Sequence, residues 1–233
     1  MILIDDAGSG SLIGGTCIGI YRIETDEYKY SVIPVELYKN DNYEKKAYLN
    51  YVVFIVSEFF YQLNVSLEEE IYVCRGYIFD ELRKWLRKNG FIWYNAKIGE
   101  PLQSLIESSF EKYAISLGLP SNFIRYTRYP FHFHQLLKWV YADYKNRAIL
   151  CKTGWKSWKK YGYLPYEITY KQLKKSNFYC LFCGEKIKDY STVKTITYFT
   201  KRKQEIYLHE KCNSQYKIED LYYKEELSFL NDY

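Results

Sequence analysis

The sequence predicts an α/β fold, in which a mixed β-sheet carries helices on both faces and a small α+β module follows. Three observations lead to this prediction. Apolar alternation in the first 38 residues indicates antiparallel strands, and helical periodicity then alternates with short apolar strands up to residue 120. Two Cys/His pairs after residue 177 indicate a compact metal-binding module. A chain of 233 residues is long enough for one large domain with such an addition.

Three strands are expected at the N-terminal end. Residues 2–5 form a short apolar run, and residues 16–21 and 30–37 alternate as strands do. The glycines of residues 8–15 are typical of a turn or a bulge, and residues 24–27 form a polar turn. We therefore predict a β-meander that opens the sheet.

Helices and strands alternate after the meander. Apolar residues at helical spacing predict helices over 42–63, 79–88 and 102–117. Strands are expected over 70–74 and 91–95. The element order, βββαβαβα, is similar to that of the ribonuclease H-like fold, so we expect a mixed sheet of this kind with flanking helices.

Three regions divide the chain. A ribonuclease H-like domain is expected over residues 1–145, and its last helix covers residues 135–145. Residues 146–176 are basic and aromatic, and we interpret them as a connecting region of helices and turns. A zinc-binding module is expected over residues 177–233.

The composition is that of an ordinary globular protein. Hydrophobic residues make up 48% and charged residues 26%, which excludes a disordered or collagen-like chain. The chain does not start with a basic stretch, and its most apolar run, residues 51–61, contains Glu58. We therefore expect a cytoplasmic protein that is not bound to a membrane and whose cysteines are reduced.

Charge is distributed unevenly along the chain. The first 120 residues hold 12 Lys and Arg against 17 Asp and Glu, and the remainder holds 21 against 11. A basic half that meets phosphates, beside carboxylates that hold a divalent cation, suits a nucleic-acid enzyme. A solvated lysine surface explains the same numbers, so charge alone leaves both interpretations open.

Two adjacent carboxylates, Asp5 and Asp6, stand at the end of the first strand. Because side chains alternate across a sheet, they point to opposite faces unless the strand ends there. Gly8 and Gly10 follow at once and let the backbone approach a ligand closely. Exposed carboxylates in this place can hold Mg²⁺ or Mn²⁺. The alternative is an ordinary polar hairpin turn.

The chain resembles type 2 ribonucleases H in a string of residues near its start. Residues 4–15 read Ile-Asp-Asp-Ala-Gly-Ser-Gly-Ser-Leu-Ile-Gly-Gly, where the family motif reads Asp-Glu-Ala-Gly-Arg-Gly-Pro-Leu-x-Gly-Pro. The resemblance implies that Asp5 and Asp6 are two of four metal-binding carboxylates. It also implies that the backbone of Gly8, Ser9 and Gly10 reads a ribose 2′-hydroxyl at an RNA–DNA junction. Ser9 stands where the family has arginine, which removes a cation that would contact phosphate.

A second segment resembles the same family. Tyr129, His134 and Leu136 match a family segment that reads Gly-Tyr-x-Thr-x-x-His-Leu. The resemblance implies that Tyr129 packs at the sugar of the junction. In all, the resemblance covers residues 1 to about 145, and its specific part is the first motif.

The chain departs from the family at two of the four acids. The third carboxylate is expected where the sequence has Cys74. The fourth is expected at Asn95, in a string that reads Asn-Ala-Lys where the family has Asp-Ala-Lys. A two-metal site needs several carboxylates to place its cations, so these changes leave the activity open.

Other acids are candidates to complete the site. Asp80 and Glu81 lie one helical turn beyond the strand over 70–74, and Glu58 on the long helix resembles the helical glutamate of type 1 ribonucleases H. We retain Asp80 and Glu58 as candidate catalytic residues. The alternative is that each lies on a solvated helix face.

Four metal-ligand residues stand in two pairs: Cys180, Cys183, His209 and Cys212. Two thiolates separated by two residues take adjacent corners of a tetrahedron. Between the pairs, residues 193–199 and 205–208 alternate like a hairpin, and a helix is expected over 210–218. This order resembles the treble-clef zinc fold. Because four ligands leave no open position, we interpret the zinc as structural; the alternative is chance cysteines in a reduced core.

Basic and aromatic residues are interleaved in the C-terminal half. Lys201, Arg202 and Lys203 are expected at the tip of the hairpin. A second group has cations that can bind phosphates and rings that can stack on bases. Its members are Lys152, Lys156, Lys159 and Lys160, among Trp155, Trp158, Tyr161 and Tyr163. The alternative is that lysine stems cover an aromatic core.

Two functions therefore remain open. The first is a ribonuclease H-like enzyme that hydrolyses phosphodiester bonds with Mg²⁺ or Mn²⁺, on an RNA/DNA hybrid or at a junction. The second is a protein that kept this fold, lost the metal cluster, and binds RNA or DNA or supports an assembly. Asp5 and Asp6 favour the first function, and Cys74 and Asn95 favour the second.

Overall fold

The computed structural model describes residues 1–175 and 177–212, and within these residues the strands form two sheets. The larger sheet contains β1 (Ile2–Ala7), β2 (Thr16–Arg22), β3 (Glu27–Ile33), β4 (Ile71–Cys74) and β5 (Trp93–Ala96). The smaller sheet contains β6 (Tyr166–Gln172), β7 (Thr192–Phe199) and β8 (Lys203–His209).

The helices lie between and around these strands. They are α1 (Asn40–Glu44), α2 (Ala47–Leu63), α3 (Asp80–Lys88), α4 (Leu102–Ser116), α5 (Ser121–Tyr126), α6 (Phe133–Ala142), α7 (Tyr144–Arg147) and α8 (Lys156–Tyr161). None of the helices in the described ranges combines the length and the apolar character needed to span a membrane.

The larger sheet is mixed, in the order β3-β2-β1-β4-β5. β1 pairs antiparallel with β2 and parallel with β4, and β5 extends the sheet parallel to β4. The predicted mixed sheet with flanking helices is confirmed. Because β1, β4 and β5 run in the same direction, their carboxyl ends meet at one edge of the sheet.

Helices bury both faces of the larger sheet. On one face, Val52 and Val56 of α2 pack with Ile4 and Ile18, and α3 adds Leu82. On the other face, α4 packs against a cluster of the sheet that includes Ala7 and Cys17. Each fully buried aliphatic or aromatic side chain contributes about 1.5–3 kcal/mol, so these two layers position the ends of β1 and β4 firmly.

Two predicted elements of the first 63 residues differ in the structure. The strand expected over 30–37 begins at Glu27 and ends at Ile33, because Pro34 leads into a short 3₁₀ helix over Val35–Tyr38. The helix expected over 42–63 is divided into α1 and α2. Lys46, between them, has a left-handed backbone with φ of 54°, and this conformation interrupts the helical hydrogen bonds.

The smaller sheet begins before the predicted zinc module. β6 lies in the region that we interpreted as a connection, and it pairs antiparallel with β7 from Tyr166 to Gln172. The predicted hairpin of β7 and β8 is confirmed by its antiparallel pairing. Leu136 and Trp139 of α6 share one buried cluster with Ile196 of β7. The helix expected over 210–218 lies largely outside the described residues, of which 210–212 form a turn.

Candidate metal and nucleic-acid sites

The acid pair lies at the carboxyl end of β1, and its two side chains leave opposite faces of the strand. Asp5 points to the face that α4 covers, and Asp6 points to the face that α2 covers. The parallel register pairs Ile4 with Val73, which brings Cys74 beside Asp5 at the edge. Donor atoms of Asp5, Asp6 and Cys74 all lie within 4.8 Å of one another. The structure therefore joins the two acids with the thiol that stands at the expected third acid.

Burial dominates the electrostatics of this cluster. It raises the pKa of Asp5, against a hydrogen bond that Asp5 accepts from the Cys74 thiol. It also raises the pKa of Asp6, against hydrogen bonds from the side chain and backbone of Ser9. The pKa of the Cys74 thiol rises to about 11, again mainly through burial. The two carboxylates repel one another and the thiol stays protonated, so a bound cation would lower all three pKa values.

The glycine loop after β1 is held closely by the core. Gly8 has a φ of +85°, and a Cβ atom on it would meet the Phe110 ring at 2.1 Å. This position therefore requires glycine. Gly10 differs, because a Cβ atom on it would have no heavy atom within 4 Å. The loop presents its open side at Ser9 and Gly10, where sequence analysis expects contact with nucleic acid.

Lys152 lies beneath this loop and corrects one expectation from the sequence. It is fully buried, so it is not a surface cation for phosphate. Its Nζ donates hydrogen bonds to the backbone oxygen of Gly8 at 2.6 Å and to Thr16 Oγ1 at 3.2 Å. Burial lowers the pKa of Lys152 to about 7, although the Asp6 carboxylate acts against this. The residue places a buried amine, which is protonated only in part at pH 7, next to the acid pair.

Arg83 on α3 is a second cation that sequence reasoning did not find. Its guanidinium donates to Asn95 Oδ1 at 2.7 Å and to the backbone oxygens of Cys74 and Gly76 at 2.6 and 3.1 Å. It also forms an ion pair with Asp80 at 2.9 Å. Arg83 therefore joins the carboxyl ends of β4 and β5, and its charge is directed at Asn95, the position where the sequence resemblance leads us to expect a fourth acid.

Asp80 and Glu58 do not belong to the cluster of donor atoms. Asp80 pairs with Arg83, and Glu58 is exposed on α2. Another acid, Glu107 on α4, acts on Asp5: burial is the main cause of the raised pKa of Asp5, and the charge of Glu107 adds to it. Glu107 is exposed and accepts a hydrogen bond from Gln103 at 3.2 Å. Helical spacing alone does not distinguish such a residue from other solvated acids.

Tyr129 lies on the loop between α5 and α6. It is 68% exposed, and the Arg128 guanidinium lies 5.0 Å from the centre of its ring. Two residues later, Phe131 packs edge-to-face on Phe110, with ring centres 5.1 Å apart. Phe110 in turn contacts Gly8. The Tyr129 loop is thus connected to the acid-pair loop through two aromatic rings.

The four Cys and His ligands of the second site converge. One donor atom from each of Cys180, Cys183, His209 and Cys212 lies within 4.8 Å of the others. His209 Nδ1 is 3.3 Å from Cys183 Sγ and 3.8 Å from Cys212 Sγ. A tetrahedral zinc ion with ordinary bond lengths needs edges of about 3.5–3.8 Å between its ligands. This cluster can bind a metal ion such as zinc.

The geometry also assigns the ligating nitrogen of His209. Nδ1 faces the thiols, whereas Nε2 lies 3.4 Å from the backbone oxygen of Lys186. A metal-bound imidazole commonly donates its second N–H to such an acceptor, which fixes the ring. The arrangement therefore fits coordination through Nδ1.

Two contacts attach the Cys180–Cys183 turn to the helices. Arg147 of α7 donates to the backbone oxygens of Leu181 and Phe182 at 2.9 and 3.1 Å. Gly184 has a φ of +81°, and a Cβ atom on it would meet Pro120 at 2.5 Å. The cluster of Cys180, Cys183, His209 and Cys212 therefore packs against the helical layer and does not lie on an isolated hairpin.

The remaining basic candidates are exposed. Lys201, Arg202 and Lys203 lie at the turn between β7 and β8, and Lys203 pairs with Glu205 at 3.0 Å. Lys156 and Lys159 are exposed on α8. The rings beside them differ from the expectation, because Trp158 is buried and cannot stack on a base. Aromatic packing under a lysine surface thus accounts for part of this segment.

The sequence matches no protein-family model and no curated protein. Three groups of residues have the chemistry of a functional site. They are the cluster of Asp5, Asp6 and Cys74, the cluster of Cys180, Cys183, His209 and Cys212, and the basic residues of the C-terminal half.

Proposed function

We propose that the chain is a ribonuclease H-like protein that hydrolyses phosphodiester bonds with a divalent cation, on an RNA/DNA hybrid or at an RNA–DNA junction. The observation that carries this proposal is the cluster of Asp5, Asp6 and Cys74 at the carboxyl edge of the larger sheet. The meander followed by parallel strands supports it, because this is the sheet that the resemblance to type 2 ribonucleases H implies.

The donor set fits a divalent cation of intermediate softness. Carboxylate oxygens of Asp5 and Asp6 suit Mg²⁺ and Mn²⁺, and the thiol of Cys74 favours Mn²⁺. A cation held there would activate water and stabilise the leaving oxygen. The chain itself would position the strand with the loop of Gly8, Ser9 and Gly10, which Lys152 holds through the backbone oxygen of Gly8.

A cleavage assay tests this proposal. Wild-type protein and the Asp5→Asn/Asp6→Asn variant are compared on labelled RNA/DNA hybrid, duplex DNA and single strands, with Mg²⁺ and Mn²⁺ separately. We expect cleavage by the wild type, strongest with Mn²⁺, and its loss in the variant. An Asp41→Asn/Glu44→Gln protein, changed at exposed acids of α1, is the matched control. Cleavage that survives in the double variant contradicts the role of the acid pair.

A second function is favoured by Arg83. Its hydrogen bond to Asn95 places a fixed positive charge where a fourth carboxylate would stand. A site with two acids, a thiol and this guanidinium has fewer anionic ligands than a two-metal site needs. The second proposal is therefore a protein of this fold that binds nucleic acid or supports an assembly without cleaving. Absence of cleavage by the wild type on every substrate and metal supports it.

The metal of the Cys180, Cys183, His209 and Cys212 cluster is, in this proposal, a structural zinc ion. Four protein ligands fill a tetrahedron and leave no position for water or substrate. Binding free energy at such a site becomes folding free energy, because the unfolded chain does not hold the ligands together. The zinc would thus hold the turn that Arg147 and Gly184 attach to the helices.

The proposed partner is nucleic acid, contacted by the cations of the C-terminal half. Lys156, Lys159, Lys201, Arg202 and Lys203 are exposed and suit contacts with phosphates. The proposed compartment is the cytoplasm. None of the six cysteines forms a disulfide, a state that a reducing compartment maintains.

A further inference from the structure

A cleft lies between the α5–α6 layer and the turn that precedes the zinc ligands. Its volume is about 300 Å³. This is at the lower end of the range of small-molecule sites, which is roughly 300–1,000 Å³, so the cleft is large enough for one flat ring and its substituents. It lies away from the acid-pair residues, none of which lines it.

Aromatic rings form much of the cleft wall. Tyr126 stacks on Tyr179 with ring centres 5.1 Å apart and planes 10° apart. Tyr126 is 58% exposed, so the outer face of this stack is open to a further ring. Phe178 and Tyr207 form a second pair of rings, with centres 4.5 Å apart. Flat rings of this kind bind nucleobases by stacking, whatever the base.

The polar residues of the cleft include an amide and a cation with free hydrogen-bonding capacity. Gln135 and Lys138 lie one turn apart on α6 and both line the cleft. In the described part of the chain, Lys138 has no ion-pair partner and the side chain of Gln135 has no hydrogen-bond partner. Burial lowers the pKa of Lys138, and no carboxylate of residues 1–175 or 177–212 forms an ion pair with it.

The one carboxylate among the described lining residues does not neutralise Lys138. Glu205 forms ion pairs with Lys171 at 3.2 Å and with Lys203 at 3.0 Å. The hydroxyl of Tyr207 also donates to it, and these contacts lower the pKa of Glu205 to about 2. Within the part of the chain that the structure describes, the cleft therefore combines open aromatic faces, an amide without a hydrogen-bond partner and a cation without an ion-pair partner.

We propose that this cleft binds one nucleotide unit of a single-stranded nucleic acid, with the base stacked on Tyr126 and the phosphate at Lys138. Gln135 would contact the hydrogen-bonding edge of the base. A paired duplex does not fit, because its bases are already stacked and cannot enter a cleft of this size. The proposal adds a second contact to the nucleic-acid partner already proposed, and it does not depend on cleavage.

Binding without cleavage metal tests the proposal. The affinity of the full chain for a fluorescent single-stranded 12-nucleotide RNA or DNA is measured by anisotropy, without Mg²⁺ or Mn²⁺ and at several salt concentrations. We expect Tyr126→Ala to weaken binding about tenfold, and Tyr126→Phe to preserve it, because stacking needs the ring. We expect Lys138→Met to weaken binding several-fold and to reduce the salt dependence by about one phosphate contact.

Matched controls separate the cleft from general effects. Tyr61→Ala changes a tyrosine that is 82% exposed on α2, and Lys112→Met changes an exposed lysine on α4. Both controls should bind as the wild type does. The affinity for a duplex of the same sequence should not fall in the Tyr126→Ala variant. A parallel titration with a nucleoside monophosphate shows whether binding needs a strand longer than one nucleotide. Photocrosslinking with a bromouridine-containing strand should label Tyr126 or Tyr179.

The outcomes distinguish this proposal from the nuclease proposal. The Asp5→Asn/Asp6→Asn variant should retain the binding that Tyr126→Ala and Lys138→Met reduce. If the cleft variants bind as their controls do, or if the wild type binds no single strand, the cleft proposal is overturned. A variant that loses cleavage but keeps single-strand binding bears on the nuclease proposal and leaves the cleft proposal intact.

Discussion

The Nε atom of Arg83 donates a hydrogen bond to Oδ1 of Asn95 at 2.7 Å. The same guanidinium contacts the backbone oxygens that follow β4, so one cation joins the ends of two parallel strands. A carboxylate at position 95 would meet this cation before it met a metal ion. Arg83 and Asn95 therefore form a pair whose chemistry must be considered together.

Replacing Asn95 with aspartate should strengthen this pair. The Asn95→Asp change converts a neutral acceptor into a charged one, and we expect the free energy of unfolding to rise by about 0.5–1 kcal/mol at pH 7, because the position is exposed. Denaturant titration measures this change. In an Arg83→Met background the gain should disappear. A gain of equal size in that background would show that Arg83 is not its cause.

The acid pair should cost stability in the metal-free protein. Burial raises the pKa of Asp5 and of Asp6, so their charged forms destabilise the fold above the raised values, and protonation relieves this cost as the pH falls. The Asp5→Asn/Asp6→Asn variant should be more stable than the wild type at pH 7, and the difference should shrink towards pH 4. Urea denaturation at both pH values measures it. A variant that is less stable at pH 7 contradicts the expected sign.

Lys152 should give the protein a distinct dependence on pH. Burial lowers its pKa to about 7 in the folded state, and the ionisable neighbours Asp6 and Cys17 act in the opposite direction. The unfolded chain then binds more protons above pH 7, so this residue makes stability rise with pH up to its ordinary pKa. Relative to a Lys152→Met variant, the wild type should gain about 2 kcal/mol between pH 7 and pH 9. A difference that stays constant over this range would contradict the lowered pKa.

Two glycines of one loop should respond differently to alanine. Gly8→Ala meets Phe110 and an unfavourable positive φ, and it should cost about 2–4 kcal/mol. Gly10→Ala has open space and should change stability by less than about 0.5 kcal/mol. Thermal and denaturant unfolding compare the two. Equal effects would show that the loop does not pack on Phe110 as described.

The purified protein should carry about one zinc ion. The Cys180→Ser/Cys183→Ser variant should lose it, because serine is a poor zinc ligand, and its melting temperature should fall as binding energy is lost. Elemental analysis and thermal unfolding measure both effects. Cys74→Ser, which changes a thiol outside this cluster, is the control and should keep its zinc. A zinc content that is unaffected by the double change would place the metal elsewhere.

Sequence patterns were sufficient for the elements whose pattern is local. Apolar periodicity located β1, α3 and α4 within one or two residues, and the spacing of Cys180, Cys183, His209 and Cys212 identified a cluster that the fold assembles. Positions 74 and 95 were also expected at neighbouring strand ends, and β4 and β5 pair there.

The features that the sequence did not predict depend on the tertiary contacts of long side chains. A lysine in a basic segment suggests a surface, yet Lys152 is buried because Gly8, Thr16 and two aromatic rings, Tyr38 and Trp155, surround its ammonium group. Arg83 lies on a helix whose other charges are solvated. Its contact with Asn95 follows only from the register of β4 and β5. β6 was missed because its pairing with β7 is set by the fold rather than by its own alternation.

The acid-pair loop is tied to a segment far along the chain. Gly14 donates its backbone N–H to Leu150 at 2.8 Å, and Lys152 donates its own to Leu12 at 2.9 Å. More than a hundred residues therefore separate the two sides of this contact. Bringing them together costs loop-closure entropy, and the contacts that offset this cost form only when both segments are present. During synthesis, the first motif of the sequence must wait for Lys152 to leave the ribosome. The site near the start of the chain thus gains its final contacts only after residues 150–152 have been made.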